Sequence, residues 1–395
     1  MNPPPNLLSA FSDDFNKLPK LVARAPGRVN LLGEHVDYNE GWVLPVAIDL
    51  AAWIAASPCS SNLIRVHALD LGETVAFQID NLEDKVDVRG KPLPAWSFYS
   101  AGVAWALQQH GLHVGGLDAV LTSTIPAGAG LSSSAAIEVV FAVAWQAISG
   151  WQVNQMTLAQ ICLRAENAYV GVKCGLMDQF ASLHGVAGSA LLFDCRTLEW
   201  EPVPLPQGVV LVIADSGVRR ILGDSAYNER RAACEQATRV LAERLPNVRA
   251  LRDVSIEAFV QHAHALPPVV RLRAEHVVGE CARTLEAVGR LRTGDAPGFG
   301  KLMLEGHASL RDLYQVSCPE LDVLVEIAAD LPGCYGARLT GAGFGGCTVN
   351  LVKEEQAESF SPALSMEYRN RTGKQASVWV CQAVEGASCT SMTKE

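Results

Sequence analysis

The sequence predicts an α+β protein built from two lobes, with a ligand-binding site between them. Its 395 residues, of which 49% are hydrophobic, exceed the ~250–300 residues at which a single core stops growing. Strand-like runs and helical periodicities are mixed along the chain. The proline-rich stretch 202–206 lies between two strand-like runs and is the best candidate for a domain crossing, which gives predicted lobes at 1–195 and 196–395.

Charge and composition limit the partners that this chain can have. The formal net charge of −10, with lysine and arginine scattered along the chain, argues against nucleic acid or an anionic membrane. No uncharged segment is apolar enough to span a bilayer. Residues 1–10 lack the basic and apolar regions of a signal peptide, so we expect a cytoplasmic protein. Eleven cysteines without a C-x-x-C pair favour reduced thiols over disulfides or a zinc site.

A dense polar cluster lies between the first two predicted strands. Residues 21–31 and 43–56 have strand character, with a turn at 33–41 between them. The first strand and this turn hold Arg28, Glu34, His35, Asp37 and Asn39. A solvated turn is the common explanation, because Asp, Asn and Gly are the usual turn residues. The position between two apolar strands favours a ligand-binding role, since sheet ends commonly present such groups.

The rest of the chain alternates between strand-like and helical patterns. Further strand-like runs cover 63–79, 117–123, 190–194, 209–215, 338–340, 347–352 and 376–383. Helical patterns cover 97–110, 157–170, 226–244, 273–291, 298–313 and 354–371. These elements supply both layers of the predicted α+β fold.

The stretch 126–136 joins a glycine-rich loop to an apolar helix. Gly128 and Gly130 allow positive φ and close approach of an anion, and the three serines that follow add hydroxyls beside the unpaired amides of a helix start. Residues 135–148 form the nearly all-apolar helix, ended by Gly150. A tight turn into a close-packed helix is the simpler interpretation. The serines favour phosphate, although no G-x-x-x-x-G-K-[ST] motif of a P-loop occurs.

Two acidic residues downstream each allow two interpretations. Glu166 shares one helix face with Cys162 and Tyr169 on a mostly apolar stripe. It is either an ion-pair partner of a neighbouring arginine or a metal ligand. Asp178 lies between apolar residues in 174–180 and is, taken alone, an ordinary helix cap.

A second glycine-rich segment, 341–346, matches the G-x-G-x-x-G pattern of dinucleotide-binding folds. That pattern requires a helix to begin within the glycines, whereas the following residues 347–352 are of β type. We therefore predict a strand-turn-strand unit whose glycines pack against another backbone or against the loop 126–131.

Taken together and in this order, the motifs resemble those of the GHMP kinases. The stretch 126–136 corresponds to the nucleotide loop of that superfamily and 339–348 to its third motif. Within the superfamily, 27–39 (GRVNLLGEHVDYN) looks like the galactokinase signature. The resemblance runs from about residue 21 to the C-terminal strand. Val36 is one departure, because bacterial galactokinases more often have Thr there.

The resemblance implies a fold, a reaction and a set of partners. The fold is the two-lobed GHMP kinase fold, with an N-terminal lobe like domain 2 of ribosomal protein S5 and a C-terminal α+β sandwich. The reaction is ATP-dependent phosphorylation of the anomeric O1 hydroxyl of galactose, the first committed step of galactose utilisation. The implied partners are galactose, ATP and Mg²⁺, in a protein that is a monomer or a weak homodimer.

The resemblance also assigns roles to individual residues. The implied catalytic pair is Arg28 and Asp178, and the implied magnesium ligands are Ser134 and Glu166. Sugar contacts are implied at Glu34, His35, Asp37, Gly175, Asp178 and Tyr227. ATP contacts are implied at Trp96, beside adenine, and at Gly128, Gly130, Leu131, Ser132, Ser133 and Ser134.

These roles make chemical sense, because phosphoryl transfer needs positioning, a cation and a group that receives the hydroxyl proton. Asp178 would accept or orient the O1 hydroxyl, and Arg28 beside it would hold that carboxylate ionised. If Glu34 and His35 contact the 6-hydroxyl, an ionised Glu34 would repel galacturonate, since no further cation is visible near the motif. A kinase for N-acetylgalactosamine or galacturonate, and a non-catalytic sensor of ATP and sugar, remain alternatives.

Overall fold

Thirteen strands and eleven helices make up the part of the chain that this computed structural model describes, residues 2–219 and 223–392 apart from the side chains of 223–225. The strands are β1 (Leu21–Asn30), β2 (Trp42–Val43), β3 (Pro45–Cys59), β4 (Leu63–Ala68), β5 (Glu73–Gln78), β6 (Gly116–Ser123), β7 (Ser189–Asp194), β8 (Trp200–Pro204), β9 (Val209–Asp215), β10 (Cys334–Thr340), β11 (Cys347–Lys353), β12 (Ser377–Cys381) and β13 (Ser388–Ser391).

The helices alternate with these strands. They are α1 (Leu7–Phe15), α2 (Phe98–Gln109), α3 (Ser133–Ser149), α4 (Gln155–Arg164), α5 (Met177–His184), α6 (Gly223–Ala242), α7 (Ile256–His262), α8 (Pro268–Arg292), α9 (Ala296–Ser309), α10 (Pro319–Asp330) and α11 (Ala357–Thr372). π-Helical turns at Ala165–Val170 and Leu310–Tyr314 extend α4 and α9. None of the helices in the described ranges combines the length and the apolar character needed to cross a membrane.

The largest sheet has the strand order β13-β1-β3-β6-β4-β5. Its pairs are antiparallel except for β4 and β6, which run parallel. The register of β1 against β3 shifts between Pro26 and Arg28. Such a bulge bends the strand and re-aims the next side chain. The irregularity therefore sets the direction in which Arg28 leaves the sheet.

Two smaller sheets complete the β-structure of the described residues. One has the order β10-β11-β9-β12, and the other has the order β2-β7-β8. The last strand, β13, pairs with β1, so the end of the described chain returns to the first sheet. The division into lobes at 195 and 196 stays a prediction.

Helix α3 packs under the largest sheet and carries the loop 126–132 at its N-terminus. Most of its apolar side chains are buried, with Phe141 and Trp145 among them. The helix ends as predicted at Gly150, whose φ of 74° lets its N–H donate to Gln146 O at 3.1 Å. A helix with this much of its surface packed into a close-packed core cannot slide without disrupting that core. The loop at its start is thus rigidly placed.

Several short elements were not predicted from the sequence pattern, namely α1, α7, α10, β8 and β13. Strand β8 lies partly in the proline-rich stretch 202–206. It pairs only with β7, so Pro202 and Pro204 lie on an edge strand, where a missing N–H is tolerated. Helix α10 begins with Pro319 at its first position, and its buried apolar residues follow helical spacing, so the sequence did contain signals for it.

Candidate active site

A two-point ion pair joins the first strand to helix α5. Arg28 follows the bulge in β1, and Asp178 lies in the first turn of α5. Arg28 Nε and Nη2 donate to Asp178 Oδ1 and Oδ2, both at 2.8 Å. Arg28 is buried, whereas the Asp178 side chain is 24% exposed. The guanidinium therefore fixes the orientation of a carboxylate that a ligand can still reach.

The glycine-serine loop 126–132 meets this ion pair. The carbonyl of Gly130 accepts a hydrogen bond from Arg28 Nη1 at 2.8 Å. Ser132 has a φ of 60°, and its hydroxyl donates to Asp178 Oδ2 at 2.5 Å. The loop, strand β1 and helix α5 thus converge on one carboxylate.

Helix α3 begins immediately after this loop. Ser133 and Ser134 lie in its first turn, where backbone N–H groups have no partner within the helix. Leu131 is buried, and its carbonyl accepts from the N–H of Arg28 at 3.2 Å. The loop therefore offers N–H groups and hydroxyls, the donors that suit a phosphate, on a backbone held by Arg28.

The second glycine segment, 341–346, forms the turn between β10 and β11 and packs on the first loop. A Cβ atom on Gly341 would lie 2.9 Å from the carbonyl oxygen of Gly130, and one on Gly346 would lie 2.8 Å from that of Ala129. Both glycines also have positive φ. The prediction of a strand-turn-strand unit packed against the first loop is confirmed, and the close backbone approach explains why side chains are absent.

Arg219 is a cation at this loop that the sequence analysis missed. Its side chain lies against Gly128, where an added Cβ would be 3.2 Å from Arg219 Cδ. Asp215 accepts from its two terminal nitrogens at 2.8 and 2.7 Å. The residue lies in the segment that follows β9, and the rule that sheet ends present ligand-binding groups could have found it.

Glu34 is a buried carboxylate beside the second glycine segment. Its Oε1 accepts from the N–H of Gly341 at 2.7 Å. Burial raises the pKa of Glu34 to about 7, and the charges of Arg338 and Arg28 oppose that shift. The expectation of a fully ionised Glu34 at neutral pH is therefore wrong, because desolvation outweighs the nearby guanidinium groups.

Arg338 is the further cation that the sequence did not reveal near the polar turn. It is fully buried on β10, where its Nη1 donates to Glu280 Oε1 at 2.9 Å. Glu280 also accepts from the N–H of Gly33 at 2.9 Å. An arginine about 300 residues away in sequence thus stabilises the turn that holds Glu34.

Both ring nitrogens of His35 are bonded to protein atoms. Nε2 lies 3.1 Å from the carbonyl oxygen of Ala342, which can only accept, so Nε2 carries a proton. In the neutral ring, Nδ1 then accepts from the hydroxyl of Tyr38 at 2.9 Å. Tyr38 in turn accepts from the hydroxyl of Tyr314 at 2.7 Å. With both ring nitrogens bonded in this directed chain, the ring of His35 has no nitrogen left for a ligand, so a contact from His35 would come from its backbone N–H or its ring face.

The remaining predicted sugar contacts lie around Asp37. An added Cβ on Gly175 would be 2.0 Å from Asp37 Oδ2, so only glycine fits against this carboxylate. Burial raises the pKa of Asp37 to about 6, with the charge of Asp178 adding to the shift. The Tyr227 ring lies 5.6 Å from that of His35, and Asp37 and Asp178 both contribute to its raised pKa. These residues lie close together around Asp37.

Glu166 is a buried residue of the π-helical turn after α4 and is bonded by neutral groups. Its Oε2 accepts from Gln179 Nε2 at 2.6 Å and from Cys174 Sγ at 3.1 Å. Burial raises the pKa of Glu166, and a hydrogen bond from Ser134 opposes the shift. The ion-pair interpretation of Glu166 receives no support from these contacts.

This arrangement fits a magnesium ion that is shared with phosphate. The Ser134 hydroxyl and the Glu166 carboxylate are the oxygen donors that Mg²⁺ prefers. Among the described residues, no group of three or more His, Cys, Asp or Glu side chains is arranged to hold a metal ion. Mg²⁺ commonly uses one or two protein oxygens and takes its other ligands from water and nucleotide phosphates. A two-residue site next to a phosphate loop agrees with that chemistry.

Comparison with known families places this site in context. Residues 9–58 match the galactokinase galactose-binding signature, 99–186 the GHMP kinases N terminal domain, and 285–370 the GHMP kinases C terminal domain. Curated galactokinases from Roseiflexus sp. (strain RS-1) and Chloroflexus aggregans are 47% and 44% identical, over 96% and 98% of this chain and 95% and 98% of theirs. The chain belongs to the galactokinase family of the GHMP kinases.

Solved structures confirm the predicted two-lobed GHMP kinase fold. A Lactococcus lactis galactokinase complexed with galactose superposes with a TM-score of 0.91 at 33% identity, over 97% of this chain and 98% of that one. A mevalonate kinase from Methanococcus jannaschii, at 18% identity, has a TM-score of 0.64 over 92% and 98% of the two chains. The latter similarity concerns the fold alone.

Trp96, which the galactokinase family pattern places beside adenine, lies in the turn before α2. Its indole N–H donates to Glu73 Oε2 at 2.6 Å. Lys85 lies nearby in the chain and covers the ring of Phe98 at 5.2 Å. The structure therefore gives Trp96 a fixed orientation, while its hydrogen bond is made to Glu73 rather than to the loop.

Proposed function

We propose that this protein transfers the γ-phosphoryl group of ATP to the O1 hydroxyl of galactose, releasing galactose 1-phosphate and ADP. The observation that carries the proposal is the Arg28–Asp178 ion pair, which lies where the loop 126–132 and the polar turn 33–41 meet. One carboxylate there is held by a guanidinium and a serine hydroxyl, yet stays reachable from the cleft.

In this proposal Asp178 orients the O1 hydroxyl and receives its proton as the bond to phosphorus forms. Arg28 donates to both carboxylate oxygens, which keeps the lone pairs of Asp178 aligned. The transition state of phosphoryl transfer is loose, so correct placement of O1 contributes more than the basicity of the carboxylate.

The transferred phosphate would be held by the loop 126–132 and the first turn of α3. Their N–H groups and hydroxyls face developing negative charge without having to reorganise. Arg219 lies against Gly128 and would add a positive charge at the same place. Ser134 and Glu166 would hold Mg²⁺, which neutralises charge on the β- and γ-phosphate oxygens when bound.

The sugar would occupy the pocket formed by Glu34, Asp37 and Tyr227. Glu34, bonded to the N–H of Gly341, would accept from the 6-hydroxyl, and the backbone N–H of His35 would donate to it. Asp37 or Tyr227 would pair with the 4-hydroxyl. Glucose, which inverts that hydroxyl, would leave a buried polar group without a partner, a loss of about 1–3 kcal/mol.

A steady-state assay of ADP release across a panel of sugars tests this function. We expect turnover with galactose, with glucose and the no-sugar reaction near background, and with Asp178→Asn as the inactive control. Binding of ATP and galactose without turnover would identify a sensor instead. A higher kcat/KM for N-acetylgalactosamine or galacturonate than for galactose would identify a kinase for that sugar.

A further inference from the structure

Among the buried side chains of helix α3, one is ionisable and the others are apolar. Glu138 is completely buried on the same helix whose first turn holds Ser134. Burying a carboxyl group costs several kcal/mol unless it is hydrogen-bonded. None of the roles assigned so far explains why this position is not apolar.

The partner of Glu138 is the amide of Gln179, the residue after Asp178. Gln179 is itself fully buried, and its Nε2 donates to Glu138 Oε2 at 3.0 Å and to Glu166 Oε2 at 2.6 Å. The two protons of one amide nitrogen are thereby divided between two carboxyl groups. Gln179 therefore links the core of α3 to the carboxylate beside Ser134.

Two buried oxygens in this pair have no partner among the described residues, Glu138 Oε1 and Gln179 Oε1. They belong to two groups that are already joined at their other ends. A proton on Glu138 Oε1 would let it donate to Gln179 Oε1, so that acid and amide form a two-point pair and both oxygens are satisfied. An ionised Glu138 would leave both oxygens unpaired. Burial and the nearby Glu166 raise the pKa of Glu138 well above its usual value, in agreement with the protonated form.

We propose that Glu138 and Gln179 are positioning residues for phosphoryl transfer, with the Glu138 acid fixing the Gln179 amide and that amide fixing Glu166. The Oε2 atom of Glu166 is then held by Gln179 and Cys174, while neither of these bonds uses Oε1. This leaves Oε1 as the oxygen that Glu166 presents to magnesium. The inference rests on the proposed function for the identity of that ion.

The link also couples the two halves of the reaction site. Asp178 and Gln179 are consecutive residues in the first turn of α5, and Ser134 and Glu138 are one turn apart on α3. Helix α5 therefore supplies Asp178, which acts on the substrate, and Gln179 of the pair. Helix α3 supplies Ser134, which acts on the metal, and Glu138 of the pair. Loss of the pair should loosen Glu166 without removing any ligand.

An isosteric and an apolar variant of Glu138 distinguish a positioning role from that of an ionised group or of a residue that only fills the core. The amide of Glu138→Gln can donate to Gln179 Oε1 and accept from its Nε2, so the two-point pair survives. Glu138→Leu fills the space and removes both bonds. We measure ADP affinity by titration calorimetry, once with Mg²⁺ and once with EDTA, together with kcat for galactose and the melting temperature.

In Glu138→Leu we expect the Mg²⁺-dependent gain in ADP affinity to fall about tenfold, the lower end for loss of a group that supports a metal ligand. ADP affinity in EDTA should stay within about twofold of wild type, because no phosphate contact is removed. Glu138→Gln should retain the wild-type gain. A melting temperature close to wild type in Glu138→Gln provides the matched control for the buried substitution.

Two results would overturn the proposal. If Glu138→Gln loses as much Mg²⁺ coupling as Glu138→Leu, Glu138 acts as an ionised group. If Glu138→Leu keeps the wild-type coupling, the residue only fills the core. Should Glu138→Leu fail to fold, Gln179→Met removes the pair and also the bond to Glu166, so its loss of Mg²⁺ coupling should be at least as large by the same readout. Failure of the proposed function is separate, because wild-type enzyme would then bind ADP with Mg²⁺ but not phosphorylate galactose.

Discussion

The cleft has two acidic sides that share burial but differ in what surrounds their carboxyl groups. On the sugar side, Glu34 has Arg338 and Arg28 near it, and its pKa is about 7. On the metal side, Glu166 accepts from the neutral groups of Gln179 and Cys174. Glu138, beyond it, has a pKa raised well above its usual value by burial and by the charge of Glu166.

The difference shows how one desolvated cleft serves two purposes. Burial raises the pKa of Glu34 and the two guanidinium groups limit that rise, so under the proposed function this carboxyl group could accept from or donate to a sugar hydroxyl. Glu166 accepts its hydrogen bonds from neutral groups, and under the same proposal its charge would be balanced by a Mg²⁺ ion that arrives with the nucleotide. Asp178 lies between the two sides and is paired with Arg28.

The largest expected effect comes from removing the carboxylate between the two sides. Asp178→Asn takes away the charge that pairs with Arg28 and the acceptor for the O1 proton. We expect kcat for galactose to fall at least ~100-fold, the scale for a positioned acid–base group, with little change in sugar affinity. Measurement requires steady-state kinetics together with equilibrium binding of galactose.

Asp118→Asn is a matched control for that loss. Asp118 is also buried and bonded at two points by an arginine, Arg65. It lies near the start of β6. The part of the strand from Asp118 to Ser123, which leads to the loop 126–132, is ~17 Å long, so Asp118 is remote from that loop. The control should reduce the melting temperature without reducing kcat. Turnover of Asp178→Asn near the wild-type rate would remove Asp178 from the mechanism.

A charged sugar probes the sugar side alone. Galacturonate carries a carboxylate where galactose has its 6-hydroxyl, and like charges ~4 Å apart repel by about 4 kcal/mol in a partly closed site. We expect kcat/KM for galactose to exceed that for galacturonate at least ~100-fold at pH 8, where Glu34 is ionised. Kinetics with both sugars at saturating ATP measure this ratio.

The raised pKa of Glu34 makes this discrimination depend on pH. Below its pKa of about 7, Glu34 carries a proton and can donate to the galacturonate carboxylate. Because the protonated fraction of Glu34 rises about tenfold between pH 8 and pH 6, the ratio of kcat/KM for galactose to that for galacturonate should fall about tenfold. Glu34→Gln should abolish the pH dependence of the ratio. If kcat/KM for galacturonate equals that for galactose at pH 8, Glu34 does not contact the 6-position of the sugar.

A smaller effect is expected from the metal side. Glu166→Gln keeps the size of the side chain but removes the charge that would face Mg²⁺. We expect the magnesium concentration for half-maximal rate to rise about tenfold, with galactose affinity in EDTA unchanged. An unchanged magnesium titration in a folded variant would leave Glu166 as a group that only bonds Gln179 and Cys174.

The parts of this site that the sequence predicted are those written in short contiguous motifs. The loop 126–132, the polar turn 33–41 and the glycine turn 341–346 each depend on local backbone requirements, such as positive φ at Gly130 and Gly341. Those requirements limit the residue type directly, so the pattern is visible in the chain. The apolar run of α3 is also visible in the chain, because burial in the core limits the residue type directly.

The parts that were not predicted depend on contacts between distant residues. Arg338 reaches Glu280 across 58 positions, and Gln179 reaches Glu138 across 41. Nothing in the neighbouring residues distinguishes these side chains from ordinary members of a strand or a helix. Strand β8 was missed because its edge position tolerates prolines that its pattern argues against. Helix α10 has the apolar i, i+3, i+4, i+7 spacing of an amphipathic helix at 321–328, so it could have been predicted.

The smallest effect tests the aromatic chain behind the sugar side, Tyr314 to Tyr38 to His35. Tyr314→Phe removes the donor to the buried Tyr38 hydroxyl but leaves Tyr38 able to donate to His35 Nδ1. Loss of one such bond is worth about 0.5–1.5 kcal/mol, so KM for galactose should rise about twofold to tenfold. The change in kcat should be less than about twofold, because the chain does not contact phosphate. Tyr368→Phe is the control, since its buried hydroxyl donates to Ser216 O at 2.8 Å and is not part of this aromatic chain. If both variants lower the melting temperature and neither changes KM, the chain stabilises the fold without orienting His35.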